Sequence, residues 1–471
     1  MPTPLGFFFG IFYFPDKRSG VIPPKYGGFS ERGFCIKDGG YYFNFNDYLD
    51  LSLTGDIYSK GSVGFRGQSR YKQRYQYSGD LSYSRDVLLE PNERFLPKPK
   101  KSWRFTWNHR TENNRTSSIA AKVDLQSEAY RTSLVERGDG LNASMDSSIR
   151  YTNKLVGLPY SLNLNLRYSK NFQTNDTKVI LPEVSLRTGN IYPLRSKRGL
   201  GGRWYSDIHF QHIVDFKHKL SNKVEDEILD FSPENWSILR KNAKYGIKNT
   251  VPVKTNVKLG YFNFTPGMEH RYRLYFEKLD YTYDPTTQKV DEKTLRGLAQ
   301  VYDCDFSLGL NTTLYGTHFF GKRAAVQAIR HQMEPKLNFV YTPDFSGPTF
   351  DYWQRIKTDK GEVLYNRFRD GVYGSPPNRA KAVLQAHLKN ALEMKVRQQT
   401  DDGPNTKKFP ILEGFDWSTG YDFLAEAFPL EDIRLQARTR LFDNLININY
   451  NAAFDPYAWV DDPKATSKAQ C

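Results

Sequence analysis

"DIRLQARTRLFDNLININYNAAF", residues 432–454, decides the fold class. Ile433, Leu435, Ala437 and Leu441 fall on one side of an extended chain, with Arg434, Gln436, Arg438 and Arg440 on the other. Side chains alternate with a period of two only along a strand. "FDNL" at 442–445 then reads as a turn, after which Ile446, Ile448 and Tyr450 oppose Asn447, Asn449 and Asn451. Polar side chains in such a row need water or polar partners, because burying each group unpaired costs about 2–7 kcal/mol. The stretch is a hairpin with one apolar face and one wet face.

The same alternation recurs along the chain. In "YLDLSLTGDIY" Leu49, Leu51 and Leu53 oppose Asp50, Ser52 and Thr54. In "SIAAKVDLQ" Ile119, Ala121, Val123 and Leu125 oppose Lys122, Asp124 and Gln126. "YSLNLNLRYS" and "CDFSLGLNTTL" repeat the pattern, and in the second Cys304 sits on the apolar side. There are roughly sixteen to twenty such segments, many of about 9–12 residues, the length that crosses a bilayer at a tilt. Strands of soluble sandwiches are shorter, with a mode of about 5–6 residues. The fold class expected is all-β, a large antiparallel transmembrane β-barrel, incomplete in strand number.

Connections are uneven. The turn at 442–445 is tight, whereas 86–102, 128–145, 221–248, 343–378 and 397–410 read as long polar loops. Short turns on one rim and long loops on the other suit an outer-membrane barrel. Within 221–248, "SPENW" predicts a helix start, with Ser232 as cap and Pro233 in the first turn.

Composition fits the same class. Hydrophobic residues make up 39% of the 471, with no run of about eighteen apolar residues, so no helix spans a membrane. Barrel strands alternate and therefore read as hydrophilic on average. Aromatic residues reach 15%, and such rings favour membrane interfaces, although secreted sugar-binding sandwiches share that richness. The net charge of +15 is spread along the chain. Its nearest approaches to a basic cluster, "PKPKK" at 97–101 and "RSKRG" at 195–199, sit beside Pro or Gly, so nucleic acid is not the expected partner. Lipid phosphate is the better anionic partner. Cys35, Cys304 and Cys471 match no zinc or redox spacing.

Catalytic and metal signatures are weak. In "DIHFQHIVDFKHK" (207–219), His209 and His212 point to opposite faces of a strand, so no metal site is expected. "RGLGGRW" (198–204) lacks the Lys-Ser/Thr end of a phosphate loop and reads as a turn. No nucleophile elbow or carboxylate pair stands out by spacing.

The N-terminal stretch raises a different question. "PDKRSGVIPPKYG" (15–27) places a diproline and the basic residues Lys17, Arg18 and Lys25 behind the apolar run "PLGFFFGIFYF". "FGIFYFPDKRSGVIPPKYG" (9–27), followed by "RGFCIKDGGYYFNFNDYLDLSLTGDIYSKGSVGFRGQSRY" (32–71), resembles the start of the barrel in the lipopolysaccharide-assembly family LptD/OstA. "WRFTWNHR" (103–110), "YFNFTPGMEHRYRLYFEK" (261–278) and "IRHQMEPKLNFVYTPDFS" (329–346) resemble later segments in family order, the last two in their Bacteroidetes form. The resemblance runs from about residue 5 to residue 457.

That resemblance implies export of lipopolysaccharide to the cell surface, without catalysis or cofactor, from the outer membrane of a Gram-negative cell. The lipid would arrive along a periplasmic β-jellyroll fed by an LptA-type bridge protein. An LptE-type lipoprotein would plug the barrel, and the lipid would leave sideways through a weak seam between first and last strands. Residues 1–20 would then end the jellyroll, and 21–471 would form the barrel with its closing C-terminal strands missing. Where relatives carry prolines in the first two strands, this sequence has glycines, which places the gate at Gly39, Gly40 and Gly55. Arg434, Arg438 and Arg440 would face the plug or lipid phosphates. Two rivals stay open at this point: another outer-membrane barrel (a porin or a transporter), and a secreted all-β carbohydrate-binding protein.

Overall fold

The computed structural model describes residues 18–30, 33–89, 99–112, 116–131, 144–195, 204–224, 227–229, 231–321, 324–359, 361–400, 403–441 and 445–457. Among them the chain is almost wholly extended and antiparallel, and it divides into two compact units. The first comprises 1–185 and 216–244; the second comprises 186–215 and 245–471.

In the first unit, β1 (Gly20–Ile22) and β2 (Lys25–Ser30) both lie along β3 (Gly33–Asn46). Then follow β4 (Leu49–Tyr58), β5 (Val63–Gln73), β6 (Tyr77–Leu88), β7 (Lys100–Thr111), β8 (Ser117–Gln126), β9 (Ser144–Lys154) and β10 (Tyr160–Asn171). From β3 to β10 each strand pairs antiparallel with the next. The division between units falls within β11 (Thr177–Thr188) and β13 (Ile213–Ser221), which flank the two-residue β12 (His209–Phe210). A small separate hairpin joins β14 (Lys223–Val224) to β15 (Glu227–Ile228).

The second unit is built on β16 (Lys244–Lys254), β17 (Val257–Leu259), β18 (Phe262–Asp284), β19 (Lys289–Asn311), β20 (Leu314–Phe319) and β21 (Val326–Thr342). An insert carrying the hairpin β22 (Trp353–Thr358) and β23 (Gly361–Asn366) precedes β24 (Lys381–Thr400), β25 (Gly403–Asp422), β26 (Ile433–Leu441) and β27 (Ile446–Phe454). The hairpin that opened the sequence reading forms as expected, with Ile433 opposite Phe454 and Leu441 opposite Ile446; its turn at 442–444 lies outside the described residues.

Both faces mix exposed and buried side chains: Arg66, Gln68 and Arg70 of the polar face are exposed, Ala121 and Val123 of the apolar face are buried, and several large apolar side chains stay exposed. On the apolar face Ile57, Phe65, Leu81 and Trp103 of the first unit are exposed, as are Tyr302, Phe306 and Leu308 of the second. On the opposite face Asp50, Asp56, Asp303 and Arg273 are at most 6% exposed. Exposed apolar area costs about 25 cal/mol per Å² in water and nothing comparable in hydrocarbon, so this sheet suits a bilayer.

Twenty-seven strands are described, 23 of them in the large sheet; without the short pieces β1, β2, β12, β17 and β20, 18 remain in it, within the sixteen to twenty read from the sequence. Several other expectations need correction. Five strands are also longer than expected: β18 and β19 have 23 residues, β24 and β25 have 20, and β21 has 17. At about 3.3 Å per residue these outrun a hydrocarbon core of about 30 Å. The segment 397–410 is not a loop: β24 and β25 pair through it, with Val396 opposite Lys407 and Arg397 opposite Thr406. A hairpin that extends beyond the apolar layer needs no apolar face, so its period-two signal vanishes. The short helix begins at Trp236, with Asn235 rather than Ser232 as N-cap, and runs to Lys241. The Asn235 carbonyl accepts the amides of Ile238 and Leu239, which starts the helical ladder. The glycine run at 198–203 and all but the last three of residues 1–20 lie outside the described residues.

Within the first unit the described connections 47–48, 74–76 and 155–159 are short turns at one end of the strands, and 59–62 and 172–176 lie at the other.

Candidate functional site

The polar face of β4–β8 carries almost no carbon-only side chain. Register places Asp50, Arg70, Asp80, Asn108 and Lys122 in one row across five strands. A second row holds Ser52, Gln68, Ser82, Thr106 and Asp124, and a third holds Thr54, Arg66, Ser84, Arg104 and Gln126. Neighbours in these rows engage one another. Arg104 grips Asp124 through two hydrogen bonds of 3.0 and 2.8 Å, Asn108 donates to Asp80 at 3.0 Å, and Ser82 meets Thr106 at 2.6 Å. Such a face keeps a strip of water and hydrogen-bonding groups beside an apolar medium.

The first strand is broken where this face begins. β1 and β2 share one line along β3, and Pro23 and Pro24 interrupt it opposite Gly39 and Asp38. Proline has no N–H, and of two successive strand residues only one points its N–H at β3, so one ladder donor toward β3 and one donor on the outer edge are lost there. At the same level the β3–β4 register slips by one residue between Ile36 and Gly39, a bulge in which Asp38 takes a φ of 59°. An aspartate tolerates that left-handed conformation better than most residues. Its carboxylate is thereby carried out of the strand toward Lys25 Nζ, 3.2 Å away, and Arg66 Nη1, 2.8 Å away. Arg66 Nη2 also reaches Asp56 at 2.6 Å, and Asp56 accepts the Asp38 amide at 2.8 Å. Lys25, Asp38, Arg66 and Arg104 line a cleft of about 540 Å³ together with Ser52, Thr54, Gln68, Ser82, Ser84 and Tyr130.

The three glycines read from the sequence fall on β3 and β4 rather than on the first strand, and they are not equivalent. A Cβ on Gly40 would stand 1.9 Å from the Leu53 carbonyl oxygen and 2.8 Å from the Thr54 Cα. Gly40 therefore lets two backbones approach, and a larger residue there would push β3 from β4 rather than tighten the pairing. A Cβ on Gly39 would touch Pro24 at 3.0 Å, directly at the break. Gly55 has only the Gly64 carbonyl at 3.5 Å, an ordinary contact. The signal that sequence reading left unused was the diproline itself, read as a prelude to the strands instead of as part of the first one. Asp38 and Arg66 carried no signal, because the bulge that brings them together is a register event.

Arg434, Arg438 and Arg440 lie on the polar side of β26, the first two opposite Ser418 and Gly414. Arg440 is engaged by Glu413 at 2.6 Å, whereas no ion pair of Arg434 or Arg438 occurs among the described residues. His209 packs on Tyr192, with Nδ1 3.0 Å from the Asp207 carbonyl.

Comparison with known proteins gives a family. The family model described as LptD protein matches residues 1–457, and the chain belongs to that family of lipopolysaccharide transport and assembly at the outer membrane. No curated protein matches. Among the solved structures that do match is a bacterial polysaccharide outer membrane secretin. It is 6% identical, with a TM-score of 0.24 and coverage of 69% of this chain and 89% of that one.

Proposed function

We propose that this member of the LptD family inserts lipopolysaccharide into the outer leaflet, carrying the headgroup along the polar face and releasing it through a seam at the first strand. The observation that carries this reading is a coincidence of position. The diproline, the β3 bulge and Gly39 all fall at one level, beside a cleft lined with cations and hydroxyls. A strand that lacks one donor on each edge separates from a neighbour at lower cost than an unbroken one, by about 0.5–1.5 kcal/mol for the missing hydrogen bond. An apolar outer face then offers acyl chains a bilayer at the point where the polar face offers the headgroup its partners.

In this reading residues 1–20 end a periplasmic jellyroll supplied by an LptA-type bridge, and residues 21–471 belong to the barrel. An LptE-type lipoprotein occupies the polar side, where Arg434 and Arg438 are available to it or to lipid phosphates. The gate rests on Pro23, Pro24 and Gly39; Gly40 serves backbone approach and Gly55 is incidental.

The test is complementation in cells whose own copy of the gene is shut off. Wild type restores surface lipopolysaccharide. Pro23→Val with Pro24→Val supplies the two missing donors and lowers export, while Gly55→Val exports normally. Undiminished surface lipopolysaccharide in the double proline variant removes the seam, and failure of the wild-type gene to restore it removes the transport reading.

A further inference from the structure

Lys25 is the first residue after the diproline break, where β2 resumes its ladder opposite Lys37, and its ion pair with Asp38 adds a side-chain tie from β2 to the bulge. Arg66, three strands over on β5, holds the other oxygen of the same carboxylate. Asp38 is thus a monoanion bridging two cations at the mouth of the cleft. Its side chain is one-third exposed, and that of Lys25 is 80% exposed, so both can be reached from solvent. The groups further in are Arg104, Tyr130, Gln68 and the hydroxyls of Ser52, Thr54, Ser82 and Ser84. Cations at the mouth with hydroxyls and an amide behind them match a phosphorylated sugar. Guanidinium takes phosphate through paired, charge-assisted hydrogen bonds, and sugar hydroxyls exchange with serine, threonine and glutamine partners.

We propose that this cleft binds a sugar phosphate of the lipid headgroup, and that the phosphate takes Lys25 and Arg66 from Asp38, so that loading the cleft unfastens β2. The proposal rests on the transport reading and adds to it a ligand chemistry and a trigger. A phosphate dianion competes well against a single carboxylate for two cations. Asp56 stays with Arg66 and keeps the bulge in place through the Asp38 amide. Asp38 then holds β2 to β3 while the cleft is empty and gives it up when the cleft is filled.

The experiment uses the full chain in lipid nanodiscs and three probes: a glucosamine-disaccharide lipid bearing phosphates, the same lipid without them, and inorganic phosphate. Affinity and hydrogen exchange of the β2 amides are the readouts, with exchange in β6 and β7 as a check on folding. The phosphorylated lipid binds and speeds β2 exchange, and the dephosphorylated lipid does neither. Arg66→Gln weakens binding by about tenfold, the loss of one charge-assisted contact. Asp38→Asn, which keeps a residue tolerant of the left-handed conformation, tightens binding and leaves β2 exchanging fast before any lipid is added. Lys25→Gln, made at an exposed side chain, weakens binding without disturbing β6 or β7.

Equal affinity of wild type and Arg66→Gln overturns the proposal, as does lipid binding that leaves β2 exchange unchanged. Inorganic phosphate that reproduces the whole effect overturns the assignment to a headgroup and makes this a free-phosphate site. Normal export by Lys25→Gln cells with unaltered lipid binding removes the clasp while the transport reading stands.

Discussion

Gly40 and Gly55 look alike in the sequence, each a glycine within an alternating strand, and the distance to a neighbouring backbone separates them. The Leu53 carbonyl oxygen leaves no room for a Cβ on Gly40, and because it is backbone it cannot swing aside. Gly40→Ala is therefore expected to destabilise the sheet by about 1–3 kcal/mol, the usual cost of forced overpacking. Gly55→Ala should fall within about 0.5 kcal/mol of wild type or slightly above it, since alanine reduces the freedom of the unfolded chain. Urea unfolding of chain refolded into detergent micelles measures both. Equal midpoints for the two variants would mean that β3 and β4 are further apart than the geometry has them. Asp38 was equally silent in the sequence. Nothing in "KDGG" marks a bulge, and the residue sits inside a strand because the bulge absorbs its positive φ.

At the scale of elements, the insert between β21 and β24 was read as a long polar loop and is a folded cap. β16 covers the edge of β18 only as far as Tyr275, and beyond that point the insert takes over. The Leu279 amide donates to the Arg367 carbonyl at 2.8 Å, and Arg367 Nε donates to the Leu279 carbonyl at 3.0 Å. Gln354 does the same for Tyr281 with its side-chain amide, at 3.0 and 2.9 Å. Under these bonds Tyr275, Val301, Phe345, Tyr352 and Phe368 form an apolar cluster. The pieces of that cluster are scattered from 275 to 368, so no local pattern announced it.

Arg367 is buried and joins Asp280 and Asp351, so Arg367→Gln should loosen the insert by about 1–3 kcal/mol. Limited proteolysis reads this as faster cleavage within 343–378, with Arg355→Gln, at an exposed pair with Glu362, as the unchanged control. Burial pushes the Asp351 carboxyl up, but hydrogen bonds and charge from Lys278 and Arg367 outweigh it and hold the group below its ordinary value of 3.8. A lowered carboxylate stabilises the folded form fully above its unfolded value. That contribution fades below about pH 4 and is gone once the pH passes below the folded value. Insert cleavage should accordingly be flat from pH 5 to pH 8, within the range where a carboxylate stays ionised, and should rise only on stronger acidification. A transition near neutrality would assign the clasp to some other group.

For the whole molecule, the alternation that marked each strand also fixed which face would be apolar, but not which face would meet the solvent. "CDFSLGLNTTL" reads the same in a soluble sandwich and in a barrel. Only the structure shows Phe306 and Leu308 exposed while Asp303 is buried, a local inversion that suits an apolar face against lipid. Which residues of each strand face the polar side was legible, and the clefts on that side were not. Side-chain parity is local, whereas a cleft depends on which residues of five strands share a level. The inversion makes a quantitative demand. Leu81 lies near the middle of β6 on the apolar face and is exposed, whereas Gln68 lies near the middle of β5 on the polar face. If the apolar face lies against lipid, Leu81→Arg should cost about 2–4 kcal/mol for folding into a bilayer, and Gln68→Arg within about 0.5 kcal/mol. The two should converge if the face meets water, because an arginine at an exposed position of a soluble sheet is nearly neutral. Folding into vesicles from urea, followed by the shift in electrophoretic mobility on heating, measures the difference. A Leu81→Arg chain as stable as Gln68→Arg would take the apolar face out of the membrane, and with it the physical basis for a lipid leaving the sheet sideways.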